Sequence, residues 1–223
     1  MKISYKMAPS ILAADFSKLG EEIERLEKNG ADYVHIDVMD GTFVPNISVG
    51  IPVVRSLRKC TNMFFDVHLM INEPIRYVER FAEVGANGIT IHVEACEDVE
   101  ATLDKIIETG AKPALSISPD TPAEAVIPYL NKVKMVLIMS VYPGYGGQSF
   151  IEATLEKARI LRAYINDNNL DVDIEMDGGI KLDNVEKVVE AGVNVIVAGT
   201  GVFRGELPEN MKKFREVFEK QMI

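Results

Sequence analysis

The sequence has no tryptophan and only two cysteines, Cys60 and Cys96, among 223 residues. Two thiols cannot build the disulfide framework of a secreted domain or a four-thiolate metal site, so we expect a reducing, cytoplasmic compartment. No stretch approaches the roughly 18–20 continuous apolar residues of a membrane span, and residues 1–15 lack the long apolar segment of a signal peptide. The sequence therefore predicts a soluble cytoplasmic protein with no membrane partner.

Positive charge is also scarce, because 24 lysines and arginines stand against 34 aspartates and glutamates and give a formal net charge of −10. A nucleic-acid-binding protein needs a basic face to neutralise phosphates, so this balance argues against nucleic acid as a partner. A small anionic substrate stays compatible, because backbone amides can line a local anion site. The 47% hydrophobic and 26% charged residues are typical of an ordinary globular protein.

What the chain does contain is a regular alternation of short apolar runs and segments with helical spacing. The alternation predicts a parallel sheet, and eight such units in about 220 residues predict a (β/α)8 TIM barrel, with residues 1–223 as a single domain. An open doubly wound sheet is the alternative, since periodicity does not show whether a sheet closes. We expect a short helix over 122–129 and a last helix over 208–222. The eight predicted strands are 7–12, 33–38, 64–69, 88–93, 112–117, 135–139, 172–176 and 193–198.

Histidines and carboxylates occur together near the carboxyl ends of predicted strands, where barrels and doubly wound sheets carry their functional groups. His35 and Asp37 are two residues apart, so their side chains point to the same face of strand two. His68 ends strand three and Asp177 follows strand seven. Burying these groups without a partner would be costly. We therefore interpret the four as ligands of a divalent transition metal, because nitrogen and carboxylate donors favour zinc, iron, manganese or cobalt over calcium or magnesium.

Glycines cluster after each of the last three predicted strands. One such cluster is most simply a tight turn, but glycine lets the backbone approach a ligand closely, and successive N–H groups can line an anion site. In barrels the phosphate site is usually built by the loops after the last two strands. We therefore predict a phosphate site without an arginine, formed by Gly144, Gly146, Gly147, Gly178, Gly179, Gly199 and Thr200.

Methionines end three of the predicted strands, at Met39, Met70 and Met139. Methionine more often fills irregular gaps in a core, so core packing is the simpler interpretation. Met39 and Met70 nevertheless share a face with the predicted ligands and would form an apolar wall beside the metal. The third histidine, His92, is interpreted as a buried core residue, with Glu94 on the same face of its strand.

Several segments resemble the ribulose-phosphate 3-epimerase family, in order and from residue 7 to about residue 203. The matching segments are 8–15, 35–41 with 43–46, 66–70, 142–148, 176–180 and 197–200. Two departures lie next to the predicted phosphate site: Tyr142 stands where the family usually has asparagine, and Gly201 stands where it usually has alanine. Neither departure removes a predicted ligand.

The resemblance implies a metal-dependent barrel of the ribulose-phosphate-binding type. It would interconvert D-ribulose 5-phosphate and D-xylulose 5-phosphate, a reaction of the pentose phosphate pathway, with D-allulose 6-phosphate as the alternative substrate. One divalent metal per subunit is implied, zinc first and Fe2+, Mn2+ or Co2+ otherwise, with no organic cofactor. Related barrels commonly associate, so we expect a homo-oligomer.

The resemblance also implies a role for each matching site residue. The metal ligands would be His35, Asp37, His68 and Asp177, and the acid/base pair would be Asp37 and Asp177. The reaction centre would be lined by Met39, Met70 and Met139. The substrate would contact Ser10, His68, Gly144, Tyr145, Gly146, Gly147, Asp177, Gly178, Gly179, Gly199 and Thr200.

Two functions from other classes are also compatible with such a barrel. A Schiff-base aldolase needs a lysine near the carboxyl end of a strand, but Lys112 and Lys134 lie at or before strand starts. A non-catalytic sugar-phosphate sensor would not need both acid/base carboxylates. The intact set of carboxylates therefore favours an epimerase.

Overall fold

Strands and helices alternate along residues 4–221, the part of the chain that this computed structural model describes. The strands are β1 (Lys6–Pro9), β2 (Tyr33–Met39), β3 (Phe64–Met70), β4 (Gly88–His92), β5 (Lys112–Ile117), β6 (Met135–Met139), β7 (Asp173–Asp177) and β8 (Val195–Ala198). The α-helices are α1 (Leu19–Lys28), α2 (Ile51–Leu57), α3 (Val78–Glu83), α4 (Val99–Glu108), α5 (Leu155–Asp167), α6 (Val185–Glu190), α7 (Thr200–Phe203) and α8 (Leu207–Gln221).

The strands form one parallel sheet in the order β1-β8-β7-β6-β5-β4-β3-β2. The two ends of this sheet meet, because a parallel bridge joins Ser10, just after β1, to His35 in β2. At the same seam the Asp32 amide donates to the Met7 carbonyl at 2.9 Å. The sheet therefore closes into a (β/α)8 barrel, which confirms the predicted fold and excludes the open doubly wound sheet.

Alternate side chains of β2 point to opposite sides of the barrel wall, outward to the helices or inward to the barrel interior. Val34, Ile36 and Val38 belong to the apolar core that packs with the surrounding helices, and all three are buried. His35 and Asp37 point the other way and are also buried, so they contribute polar groups to the barrel interior. The same alternation places the functional side chains of β3 and β7 on the inside.

The helices complete the apolar layer with one face each. In α1 the buried residues include Leu19, Ile23 and Leu26, which recur at helical spacing. In α5 the buried residues are Leu155, Ala158, Leu161 and Ile165. No helix in the span 4–221 is long and apolar enough to cross a membrane.

Some predicted boundaries were wrong. The predicted helix over 122–129 consists of two short 3₁₀ turns, Ala123–Ala125 and Ile127–Tyr129. Pro128 explains this, because it lacks an amide donor and its ring clashes with the carbonyl four residues earlier in an α-helix. The predicted strand over 88–93 ends at His92, before a 3₁₀ turn. Residue 222, the predicted end of the last helix, lies outside the described residues.

The first predicted strand was also too long, since β1 ends at Pro9 and is followed by a 3₁₀ turn over Ile11–Ala13. Ser10 is the N-cap of that turn, and its hydroxyl accepts from the Leu12 amide at 3.3 Å. This change of direction brings Ser10 to the carboxyl end of the barrel. There its hydroxyl contacts the Asp37 carboxylate of β2.

Candidate active site

The four predicted metal ligands meet at the carboxyl ends of β2, β3 and β7. His35, Asp37, His68 and Asp177 each offer a ligand atom, and these atoms all lie within 4.8 Å of one another. His35 Nε2 is 3.3 Å from Asp37 Oδ1 and 3.9 Å from Asp177 Oδ2. His68 Nδ1 is 3.1 Å from the same Asp37 oxygen, because β2 and β3 pair with Asp37 opposite His68.

One atom in this cluster shows that the cluster fits a divalent cation. His35 is completely buried, yet its Nε2 atom has no hydrogen-bond partner among the described residues. The other ring nitrogen, Nδ1, lies 2.7 Å from Asp66 Oδ2 and can donate its proton there. That contact leaves a lone pair on Nε2 aimed at two carboxylates, a set of donors that suits zinc and related metals.

The electrostatics of the cluster link metal binding to proton release. Burial lowers the pKa of His35, but the charges of Asp37 and Asp66 outweigh burial, so the pKa stands well above its usual value. Burial raises the pKa of Asp37, and the neighbouring His35 and His68 reverse this and hold it far below the usual range. Without a cation these charges favour a second proton on His35, and a metal would compete with that proton for Nε2.

The two predicted acid/base carboxyls lie in different surroundings. Burial and the charge of Asp37 raise the pKa of Asp177, whereas that of Asp37 is lowered. Ser10 Oγ donates to Asp37 Oδ2 at 2.5 Å and helps to hold this carboxylate charged. Asp37 and Asp177 extend from β2 and β7, which are separated in the barrel by β1 and β8. While no cation is bound, these surroundings thus favour the charged form of Asp37 and the protonated form of Asp177.

Three ionisable side chains outside the predicted set lie directly behind it. Asp66 and Glu175 are fully buried, and burial together with the charge of Asp66 raises the pKa of Glu175 well above its usual value. Each lies two residues before a predicted ligand, so the period of two along a strand was the signal that could have found them. His92 is buried, as expected, but its Nε2 lies 2.8 Å from His68 Nε2.

A small cavity of about 60 Å³ lies above the cluster and is lined by the predicted substrate-binding residues. His68 is the exception, because it is fully buried beneath the cavity and does not line it. The cavity contains no lysine or arginine among its lining residues in the described chain. Its lining brings together Ser10, Asp37, Met39, Met70, Met139, Gly144, Tyr145, Gly146, Gly147, Asp177, Gly178, Gly179, Gly199 and Thr200.

The glycine-rich loop after β6 covers this cavity and is tied down on both sides. The Tyr142 hydroxyl donates to Asp120 Oδ1 at 3.0 Å, and the Tyr145 hydroxyl donates to the Pro45 carbonyl at 2.7 Å. Within the loop, Gln148 Nε2 donates to the carbonyls of both tyrosines at 2.7 and 2.8 Å. Tyr142, which departs from the family pattern, therefore connects this loop to the loop after β5.

Two glycines after β7 have geometry that other residues cannot adopt at low cost. Gly178 has φ +121° and Gly179 has φ +66°. A Cβ on Gly178 would lie 2.9 Å from the Val141 amide nitrogen, and one on Gly179 would lie 2.7 Å from the Phe150 amide nitrogen. The backbone at the cavity wall therefore packs too closely for any side chain at these positions.

Comparison with known proteins adds to this geometry. A sequence model described as the ribulose-phosphate 3 epimerase family matches residues 6–203. The chain belongs to this family. A ribulose-phosphate 3-epimerase from Synechocystis sp. is 50% identical over 199 residues, which cover 88% of this chain and 86% of that protein. The cytoplasmic isoform from Oryza sativa is 42% identical over 207 residues, with 91% and 89% covered.

Solved structures support the fold independently of the ribulose-phosphate 3-epimerase family. KGPDC from Streptococcus mutans has a TM-score of 0.76 at 13% identity, with 97% of this chain and 98% of that chain covered. At that identity the likeness shows the barrel alone. The family assignment made from the sequence, and the prediction that the chain is an epimerase enzyme, are confirmed by the relatives.

Proposed function

We propose that this enzyme inverts C3 of a ketose phosphate, converting D-ribulose 5-phosphate to D-xylulose 5-phosphate and back. The observation that carries the proposal is the placement of Asp37 and Asp177, two carboxyls on the separate strands β2 and β7 that line the same cavity. Inversion next to a carbonyl requires a proton to leave from one face and return on the other. Two carboxyls on separate strands can serve as base and acid, and can exchange roles in the reverse direction.

In this proposal one of the two carboxyls, Asp37 or Asp177, removes the C3 proton and the other returns a proton on the opposite face. Ser10 keeps Asp37 oriented through the hydroxyl contact at 2.5 Å. Met39 and Met70 are almost completely buried and keep water away from the reacting carbon. A divalent cation held by His35, Asp37, His68 and Asp177 would supply Lewis-acid stabilisation of negative charge on the substrate oxygens.

The substrate phosphate is assigned to the glycine loops after β6, β7 and β8. The close backbone packing at Gly178 and Gly179 and the lack of lysine or arginine in the described cavity lining support recognition by backbone amides. Thr200 adds a hydroxyl at the start of α7. D-allulose 6-phosphate stays the alternative substrate.

The finer assignments are proposals of the same kind. Zinc is the proposed metal, with Fe2+, Mn2+ or Co2+ as alternatives, because the ligands are two imidazoles and two carboxylates. The free cysteines and the cytoplasmic isoform from rice support a cytoplasmic compartment. The single sheet of eight strands supports residues 1–223 as one domain. A homo-oligomer remains a prediction from the resemblance.

The deciding experiment compares Asp37→Asn and Asp177→Asn with the unaltered enzyme on D-ribulose 5-phosphate. Each substitution keeps the shape of the side chain but removes its proton transfer, so we expect turnover to fall by roughly 10²–10⁴-fold. Asp167→Asn, at an exposed position at the end of α5, is the matched control and should leave turnover unchanged. Near-normal turnover in both active-site variants would overturn the proposal.

Isotope exchange and metal analysis complete the test. In deuterated water the C3 position should acquire deuterium as the two sugar phosphates interconvert, and absence of deuterium there would exclude proton abstraction at C3. Turnover of D-allulose 6-phosphate by the same sample decides between pentulose and hexulose. Elemental analysis of that sample identifies the metal.

A further inference from the structure

A chain of three side chains leads from the predicted metal ligands to the rim of the barrel. His68 Nδ1 faces the cluster at Asp37, and His68 Nε2 lies 2.8 Å from His92 Nε2. His92 Nδ1 lies 3.1 Å from Glu94 Oε2. Both imidazoles are fully buried, whereas 26% of the Glu94 side chain is exposed. Because two ring nitrogens at 2.8 Å share one proton, one of them donates and the other accepts.

Glu94 determines the direction in which these hydrogen bonds run. Its Oε1 atom accepts from the Ser118 amide at 2.8 Å and from the Thr121 hydroxyl. Burial raises the pKa of Glu94, but these contacts and the one with His92 outweigh burial and lower it to about 2. Glu94 is thus a carboxylate with acceptors only, so His92 Nδ1 must carry the proton in this contact.

The remaining protons follow from that first assignment. A neutral His92 with its proton on Nδ1 has a lone pair on Nε2, which accepts from His68 Nε2–H. Without a cation, His68 Nδ1 donates to the Asp37 carboxylate at 3.1 Å; when a cation replaces that proton, Nδ1 presents its lone pair to the cation while Nε2 keeps its proton. Asp66 orients His35 in a similar way but by direct contact: it accepts from His35 Nδ1, so that His35 presents Nε2 to the cluster.

We propose that Glu94 is a positioning residue that acts through His92 to hold His68 in the Nε2–H tautomer, with Nδ1 free to bind the metal. This inference rests on the metal site of the proposed function. Second partners of metal-bound histidines typically contribute in this way to ligand orientation and basicity. Here the partner of His68 is a second histidine, which extends the effect from the barrel interior to the loop after β4.

Glu94→Gln is a sharp test because it keeps the shape of the side chain and changes one acceptor into a donor. The single amide oxygen is needed by the Ser118 amide and the Thr121 hydroxyl, so the NH2 group faces His92. His92 then accepts on Nδ1 and donates from Nε2. His68 must accept on Nε2 and carry its proton on Nδ1, which removes the lone pair meant for the metal.

The experiment measures histidine tautomers and zinc affinity separately. Nitrogen-15 NMR of the zinc-loaded protein should show His68 with its proton on Nε2 and His92 with its proton on Nδ1, and in the metal-free protein Glu94→Gln should move the His92 proton from Nδ1 to Nε2. Competition with a zinc chelator should then show roughly 10–100-fold weaker zinc binding in the variant. His92→Phe removes the acceptor for His68 by a second route and should weaken zinc binding in the same way.

The matched control is Thr121→Val, which removes a loop contact of Glu94 without touching His92. It should leave both tautomers and zinc affinity unchanged, which separates positioning of His68 from anchoring of the loop. A His68 without a proton on Nε2 in the zinc-loaded protein, or an unchanged His92 tautomer in Glu94→Gln, would overturn the inference. Failure of the unaltered protein to bind any divalent ion would instead overturn the proposed metal site, while the tautomers of the metal-free protein still decide the role of Glu94.

Discussion

Alanine in place of Gly179 tests whether the cavity wall after β7 depends on close backbone packing. Gly179 has φ +66°, and a Cβ there would lie 2.7 Å from the Phe150 nitrogen, 2.9 Å from its Cα and 3.0 Å from the Gln148 carbonyl oxygen. All three are backbone atoms, so no side chain can rotate away to relieve the overlap. Gly110→Ala is a matched control, because Gly110 has φ +83° and no atom within 4 Å of its Cβ position.

The two substitutions share one energetic cost and differ in another. A left-handed backbone costs an alanine about 1–2 kcal/mol at either position. Overpacking adds about 1–3 kcal/mol where the neighbours must move, which applies only to Gly179. We therefore expect a loss in the free energy of unfolding of about 2–5 kcal/mol for Gly179→Ala, against about 1–2 kcal/mol for Gly110→Ala.

Equilibrium unfolding in urea measures both losses under identical conditions. Steady-state kinetics on D-ribulose 5-phosphate give a second comparison, because Gly179 lines the cavity and Gly110 does not. A raised KM is expected for Gly179→Ala alone. Equal losses of stability in the two variants would refute the steric reasoning, since only backbone conformation would then separate alanine from glycine.

Three further predictions concern the loops and the metal site. Lys157 Nζ donates to three backbone carbonyls of loop 118–121 at 2.6–3.0 Å, so Lys157→Met should cost about 1–3 kcal/mol of stability in urea. Tyr142→Phe removes the hydrogen bond to Asp120 and should speed hydrogen exchange of the glycine-rich loop, with a change in the free energy of unfolding below about 1.5 kcal/mol. Unchanged exchange would contradict the view that this hydrogen bond anchors the loop. Because the pKa of His35 is raised, a metal would compete with a proton for this ring, so apparent zinc affinity should rise as the pH rises, and a flat profile would contradict this competition.

The barrel was predictable because its signals are repeated along the chain. Each strand carries its own apolar run, so errors at one end, such as the strand that ends at Pro9 instead of residue 12, do not disturb the count. The segment 122–129 failed because its apolar spacing resembles a helix while Pro128 prevents one. The spacing of apolar residues indicates which side chains are buried. Whether an α-helix or a 3₁₀ turn forms there also depends on which residues have a backbone N–H to donate.

For the candidate site, the sequence was enough to predict which side chains lie together at the carboxyl ends of the strands. His35, Asp37, His68 and Asp177 follow from parallel strands whose carboxyl ends meet at one edge. The contact between His68 and His92 was not predictable, because it depends on how two rings turn across β3 and β4. Periodicity along one strand carries no information about ring orientation or about which nitrogen holds a proton.

The bridge between Ser10 and His35 places the candidate site across the seam where the barrel closes. Neighbouring strands elsewhere are joined by ladders of three to seven residue pairs, whereas β1 and β2 meet at a single bridge among the described residues. Ser10 lies on one side of that seam, and His35 and Asp37 lie on the other. A substrate that contacts Ser10 while its carbonyl lies at the predicted metal ligands would bind both β1 and β2 and so hold these two strands together. Loading the site would then slow opening of the barrel at this seam.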